Sequence, residues 1–146
     1  MAWDERDIIA LSGGFDPVHV GHLRMIQAAA ELGKVVIILN SDEWLMRKKG
    51  YMFMPWTERK ELLMGIKGVY AVERVDDSDD SVCEALRRIN PHHFGNGGDR
   101  TDQNTPEKTL CEELNINMIW GLGGDKIRSS SELVRNATRI VDGRNG

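Results

Sequence analysis

An apolar run from Ile8 to Leu11 breaks into Ser12-Gly13-Gly14 and resumes, after Phe15-Asp16-Pro17-Val18-His19-Val20-Gly21-His22, as the helical pattern Leu23, Ile26, Ala30. A buried strand, a tight glycine turn and a helix start in direct succession leave few alternatives to an α/β unit. Gly13 and Gly14 let the backbone turn sharply and approach a ligand without side chains in the way. His19 and His22 stand three residues apart where the helix begins, so their imidazoles can share one face with its unpaired backbone N–H groups. Such a place suits an anion, with two further donors at hand. Two histidines at this spacing also suit zinc, but no other Cys, His or carboxylate lies near them at ligand spacing.

The rest of the chain repeats the same alternation. Gly33 closes the first helix, and Lys34 to Leu39 reads as a second strand, apolar on both faces as in a covered parallel sheet. Asn40-Ser41-Asp42-Glu43 caps a short helix ending in Arg47-Lys48-Lys49. Gly50 to Pro55 carries no period and reads as a mobile loop. Trp56 to Lys67 resumes a helix with Leu62, Leu63 and Ile66 inside. Ala71 to Val75 is a third strand, and the acidic run Asp76 to Asp80 reads as a solvated turn before a capping box, Ser81 with Glu84, that opens a helix to Ile89. A fourth strand, His92 to Gly95, opens into Asn96-Gly97-Gly98-Asp99-Arg100. Thr105-Pro106 starts a helix to Leu114, and Ile116 to Trp120 is a fifth strand. After Gly121, Gly123 and Gly124 a last helix begins at Ser129.

This alternation predicts a Rossmann-like open parallel sheet of five strands in the order 3-2-1-4-5, with helices on both faces. Residues 1–138 form one domain and 139–146 a flexible tail. In such a sheet ligands bind beyond the carboxyl ends of the strands where the winding reverses, between the first and fourth strands. The turns Gly13-Gly14 and Gly97-Gly98 then face each other across that crevice.

Composition narrows the partners. Nineteen basic against 23 acidic residues, net −4, argue against nucleic acid as the main partner. No apolar run approaches a membrane span, and the charged start Met1 to Asp7 does not read as a signal peptide, so a cytoplasmic location without membrane association is expected. Cys83 and Cys111 form no Cys-X-X-Cys pair and are expected to be reduced, partly buried thiols.

The stretch Gly13 to His22 resembles the Gly-X-Phe-Asp-X-X-His-X-Gly-His signature of the cytidylyltransferase-like nucleotidyltransferases. The likeness extends along most of the chain. Asn40-Ser41-Asp42 resembles a turn of the small cytidylyltransferases and heptose-phosphate adenylyltransferases whose acidic residue lies near the site. Lys48-Lys49 falls where the family has loop lysines, and Thr57-Glu58-Arg59 resembles a Glu-X-Arg helix start, which carries Asp42 and Arg59 over as acceptor contacts. Gly97-Gly98-Asp99 resembles the turn beside the base, and Ser129-Ser130-Ser131 the family's phosphate motif. The family's Arg-Thr-Glu-Gly-Ile run is absent; Gly121 to Ile127 reads differently, leaving Lys126 or Arg128 to replace its arginine. Asp16 matches the signature as well, and also suits a turn-forming Asx residue.

The resemblance implies transfer of a nucleotidyl group from a nucleoside triphosphate to a phosphorylated alcohol or sugar, with magnesium and release of pyrophosphate. CTP is expected, with ATP as the close alternative; a nucleotide-binding module without turnover is the alternative of another class. His19, His22, Lys48 and Lys49 would act on the reacting phosphates. Gly13, Gly14, Phe15, Gly97, Gly98, Asp99, Arg128, Ser129, Ser130 and Ser131 would hold the nucleotide. The apolar residues Trp56, Leu62, Met64, Val69 and Tyr70 exceed what one side of a small sheet needs, and with the resemblance they imply a homodimer.

Overall fold

The computed structural model describes residues 7–97 and 105–124. Five parallel strands form one sheet: β1 (Ile8–Gly13), β2 (Lys34–Leu39), β3 (Val69–Glu73), β4 (His93–Gly97) and β5 (Asn117–Leu122), in the order β3-β2-β1-β4-β5. This is the expected topology. The helices between them are α1 (Val20–Ala30), α2 (Asp42–Lys49), α3 (Trp56–Met64), α4 (Cys83–Ile89) and α5 (Pro106–Leu114).

The two-residue period of the strands sorts the core into two layers. Ile9 and Leu11 of β1, with Val35, Ile37 and Leu39 of β2, point to one face and meet Ile26 and Ala29 of α1 and Trp56 and Leu63 of α3. Ala10 and Ile38 point the other way, onto Cys83, Ala85 and Leu86 of α4 and Leu110 and Cys111 of α5. Each fully buried Leu or Ile here contributes about 1.5–3 kcal/mol relative to exposure. Both cysteines are free and buried.

Register explains where a crevice opens. β1 pairs with β2 along its whole length, from Ile8↔Lys34 to Gly13↔Leu39. Against β4 it is in register at Ile9↔His93 and Ala10↔Phe94, toward the amino ends of the strands. The carboxyl ends of β1 and β4, at Gly13 and Gly97, stand at the reversal of winding.

Three local expectations are corrected. The third helix stops at Met64, with Gly65 as its C-cap, rather than running to Lys67. Its buried face is Trp56, Arg59 and Leu63, at helical spacing, so Leu62 falls outside it and is 51% exposed. The capping box Ser81-Glu84 does not form: α4 starts at Cys83, Val82 is its cap, and the Glu84 carboxylate accepts instead from the Asp76 backbone N–H at 2.9 Å and from Arg88 Nε at 2.9 Å. The third strand begins at Val69, two residues earlier than expected, because Val69 already pairs with Val35. Elsewhere the caps read from sequence are present, Ser41 accepting from the Trp44 N–H at 3.0 Å and Thr105 from the Lys108 N–H at 3.2 Å.

Candidate active site

The two histidines sit at the start of α1, and the helix itself sets their protonation. His19 is the N-cap residue in an extended conformation. Its Nδ1 accepts from the Gly21 N–H at 3.1 Å, while its own backbone N–H donates to His22 Nδ1 at 3.1 Å. This is a capping box built from imidazoles in place of the usual hydroxyl and carboxamide. An Nδ1 that accepts a hydrogen bond carries no proton, so each neutral ring holds its proton on Nε2. The rings stack with centroids 3.8 Å apart and planes inclined by 23°. Burial, the neighbouring His19 and then Lys49 push the pKa of His22 down from 6.5 to about 3. At neutral pH His22 is therefore an uncharged hydrogen-bond donor.

Phe15 also packs against that ring. Its backbone adopts a left-handed conformation, φ +50°, and its side chain packs against His22 with centroids 4.6 Å apart. Phe15 is only 3% exposed, so it acts here as packing beneath the histidine. The two glycines before it are also needed by the protein itself: a Cβ on Gly14 would stand 2.8 Å from a Leu45 methyl, and one on Gly13 would stand 3.1 Å from the Phe15 ring.

Arg59, expected to contact the acceptor, lies wholly inside the protein at 0% exposure. Its Nη1 donates to the carbonyls of Gly14 (2.8 Å) and Asn40 (2.9 Å), its Nε to Met54 O (3.0 Å), and its Nη2 to Asp42 Oδ1 (2.6 Å). The guanidinium thus joins the turn after β1, the turn after β2 and the segment before α3, and has no surface from which to touch a substrate. Asp42 keeps a 36% exposed side chain at the rim while anchored by that pair.

Asp16, also 0% exposed, holds the same segment from below. Its carboxylate accepts from the backbone N–H groups of Phe53 (2.7 Å) and Met54 (2.9 Å). Its role is neither a local Asx turn nor a surface contact. Asp77 was legible only as part of a solvated acidic run. It turns inward to 3% exposure and accepts from Asn40 Nδ2, the Ser41 N–H and the Ser41 hydroxyl at 3.0, 2.8 and 2.6 Å, fixing the start of α2.

The two lysines close α2, as the sequence indicates, and they diverge. Lys49 Nζ lies 3.4 Å from the Asp16 carbonyl oxygen, on the histidine side. Lys48 Nζ lies 3.8 Å from Asp80 Oδ2, beside the Arg47–Asp80 pair at 3.1 Å. Successive helical residues are rotated by about 100°, which sends adjacent side chains to different faces. Gly97 ends β4 at the crevice, where a Cβ would stand 3.4 Å from Met25 Sδ. Gly98, Asp99, Arg128, Ser129, Ser130 and Ser131 lie outside the described residues. Among the described residues no three His, Cys, Asp or Glu side chains converge on a metal position, and no helix is long and apolar enough to cross a membrane.

A winding reversal with two stacked imidazoles and a lysine at its mouth stands where an open α/β sheet takes its ligands. The chain belongs to the cytidylyltransferase-like family of nucleotidyltransferases, whose family model matches residues 10–144. It is 33% identical over 117 residues to the bifunctional protein HldE of Streptomyces coelicolor, covering 78% of this chain and 24% of that protein. It is 31% identical over 116 residues to the FAD synthase of Pyrococcus abyssi, covering 78% of this chain and 76% of the relative. The chain thus spans about a quarter of the length of the HldE protein and most of the FAD synthase. A lipopolysaccharide core biosynthesis protein from Thermoplasma volcanium shares the fold, with a TM-score of 0.64 at 20% identity, over 78% of this chain and 94% of that one.

Proposed function

We propose that this chain catalyses nucleotidyl transfer from a nucleoside triphosphate to a phosphate monoester, releasing pyrophosphate. A phosphate oxygen of the acceptor attacks the α-phosphorus in line. The bond from that phosphorus to the oxygen bridging to the β-phosphate breaks, and pyrophosphate departs with the electron pair. Such chemistry asks the protein for position and for donors aimed at developing charge.

The observation that carries this reading is the pinning of both histidine Nδ1 atoms by backbone N–H groups. It fixes two Nε2–H donors of one tautomer, side by side, with His22 uncharged at neutral pH. Neutral donors strengthen their hydrogen bonds as charge builds on the leaving oxygen, and they need no proton exchange with water to be ready. Lys49 supplies positive charge on the same side; Lys48, drawn toward Asp80, is the weaker candidate. Gly13, Gly14 and Phe15 shape the floor under the phosphates. Gly97, Gly98 and Asp99 beside the base, with Arg128 and Ser129 to Ser131 at the β- and γ-phosphates, remain part of the proposal.

Magnesium accompanies a triphosphate and supplies further charge neutralisation. The carboxylates of Asp16 and Asp77 are already filled by N–H and O–H donors, and Asp42 is held by Arg59, so the described residues do not form a cage for the ion. It would travel on the triphosphate itself.

The sequence favours CTP, but the relatives favour ATP. A FAD synthase, by its name, completes a dinucleotide whose second half is AMP, and that support places ATP first. The test is pyrophosphate release from each of the four common ribonucleoside triphosphates with magnesium and a panel of phosphate monoesters. The expected result is release that requires an acceptor and is greatest with ATP. Release with no acceptor dependence, or none with any pair, overturns the reading.

A further inference from the structure

The segment between α2 and α3 lies against the site, and its side chains are unusual for an exposed connection. From Gly50 to Pro55 it reads Gly-Tyr-Met-Phe-Met-Pro, and its only polar side-chain atom is the Tyr51 hydroxyl. Phe53 is 55% exposed and Met52 37%, and Met46 on the adjoining turn of α2 is 50% exposed. Contiguous exposed apolar side chains mark a place where something else is meant to sit.

The backbone beneath them is fixed. Asp16 accepts from the N–H groups of both Phe53 and Met54, and Arg59 holds the Met54 carbonyl at 3.0 Å. The rings of Tyr51 and Phe53 meet edge to face, with centroids 5.9 Å apart at 67°. Lys49 Nζ stands 5.9 Å from the Tyr51 ring centre and 3.4 Å from the Asp16 carbonyl oxygen, three residues before His19. An aromatic pair and an ammonium group therefore stand together where Asp16 ties this segment to the turn that carries the histidines.

We propose that Tyr51 and Phe53 form the acceptor-recognition wall of this site, and that the acceptor is a phosphate monoester carrying a flat, apolar ring system rather than a polyol phosphate. This rests on the nucleotidyl-transfer reading for what happens at the phosphate. A polyol presents several hydroxyl groups, each losing its water on binding, and the wall offers one hydroxyl in return. A flat ring instead gains from stacking and from removing apolar surface from water, while its phosphate meets Lys49. The charge and the apolar surface are thus ordered as such a molecule would need them.

The test compares flavin mononucleotide, a flat ring bearing a phosphate monoester, with glycerol 3-phosphate. Dissociation constants come from calorimetry on the full chain, in wild type, Tyr51→Ala, Phe53→Ala and the distant exposed control Leu114→Ala. Pyrophosphate release with ATP and magnesium is followed in parallel. The expected result is at least thirtyfold tighter binding of the flavin phosphate, weakened about tenfold by either aromatic substitution and unmoved by the control. Equal affinity for the two ligands, or an unchanged flavin affinity in Phe53→Ala, overturns the wall. Turnover with glycerol 3-phosphate and no flavin binding overturns it too, while leaving nucleotidyl transfer standing. The expected binding pattern with no pyrophosphate from either acceptor supports the wall and sinks the transferase reading for these substrates.

Discussion

Replacing His22 by glutamine separates the helix-capping role of that residue from its titration. Gln at the third helical position can still accept from the His19 backbone N–H through its amide oxygen, the usual arrangement of a capping box. It cannot take up a proton. In the wild-type fold His22 is held neutral from its ordinary 6.5 down to about 3, first by burial and then by the neighbouring His19 and Lys49. Within that window the unfolded chain binds the proton that the folded chain refuses. Stability therefore rises with pH through the window, and as the pH falls it is lost at about 1.4 kcal/mol per unit. Above the ordinary value the two states bind alike and the effect ends. Between pH 6.5 and pH 5 the wild type should lose about 2 kcal/mol that His22→Gln does not lose. Urea denaturation of both proteins at pH 7, 6 and 5 measures this, since every other titrating group is common to them and cancels in the difference. A wild-type-to-variant gap that stays constant across the three pH values refutes the assignment of a neutral, Nε2-protonated His22.

His19→Ala should lower turnover by roughly two to four powers of ten while the triphosphate dissociation constant moves far less, because the lost donor acts on charge that develops during reaction; near-normal steady-state turnover sinks that role. Arg59→Ala should cost about 3–5 kcal/mol of unfolding free energy, since it leaves Asp42 and three carbonyls without their partner, and a loss under about 1 kcal/mol in denaturant titration counts against the buried network. The dimer expectation rests on Leu62, Met64 and Tyr70, which are 51%, 43% and 60% exposed beside the edge strand β3, whereas Trp56 and Val69 are taken up by the core. Light scattering should give about twice the 16.5 kDa of one chain, falling toward one chain in Tyr70→Lys, where the new ammonium would also meet Lys34, now 4.8 Å above that ring; a wild-type mass of one chain removes the proposal.

Strand order and the histidine turn were legible because each rests on a local pattern: apolar runs of strand length, glycines at their ends, caps such as Ser41 and Thr105 with their hydroxyls in place. What escaped was the fate of charged side chains. Arg59 and Asp77 sit in stretches that look like ordinary solvated surface, Trp-Thr-Glu-Arg-Lys and Asp-Asp-Ser-Asp-Asp. Nothing in either stretch says which single charge turns inward, because that is decided by partners in other segments, 5 to 45 positions away for Arg59 and 36 or 37 for Asp77. Arg59 does carry one signal in hindsight: with Trp56 and Leu63 it completes a helical stripe in which it is the only charged member. Asp16 offers less, since its partners are backbone groups of Phe53 and Met54 and leave no trace in residue type.

The position of Arg59 has a consequence for how the parts of this site depend on one another. Its four hydrogen bonds end on Gly14, Asn40, Asp42 and Met54, drawn from three separate connections of the chain. Those connections depend on one another in the folded protein, because loosening any one leaves a buried cation short of a partner. A disturbance of α3 is therefore expected to reach the histidine turn through the bond from Arg59 to the Gly14 carbonyl.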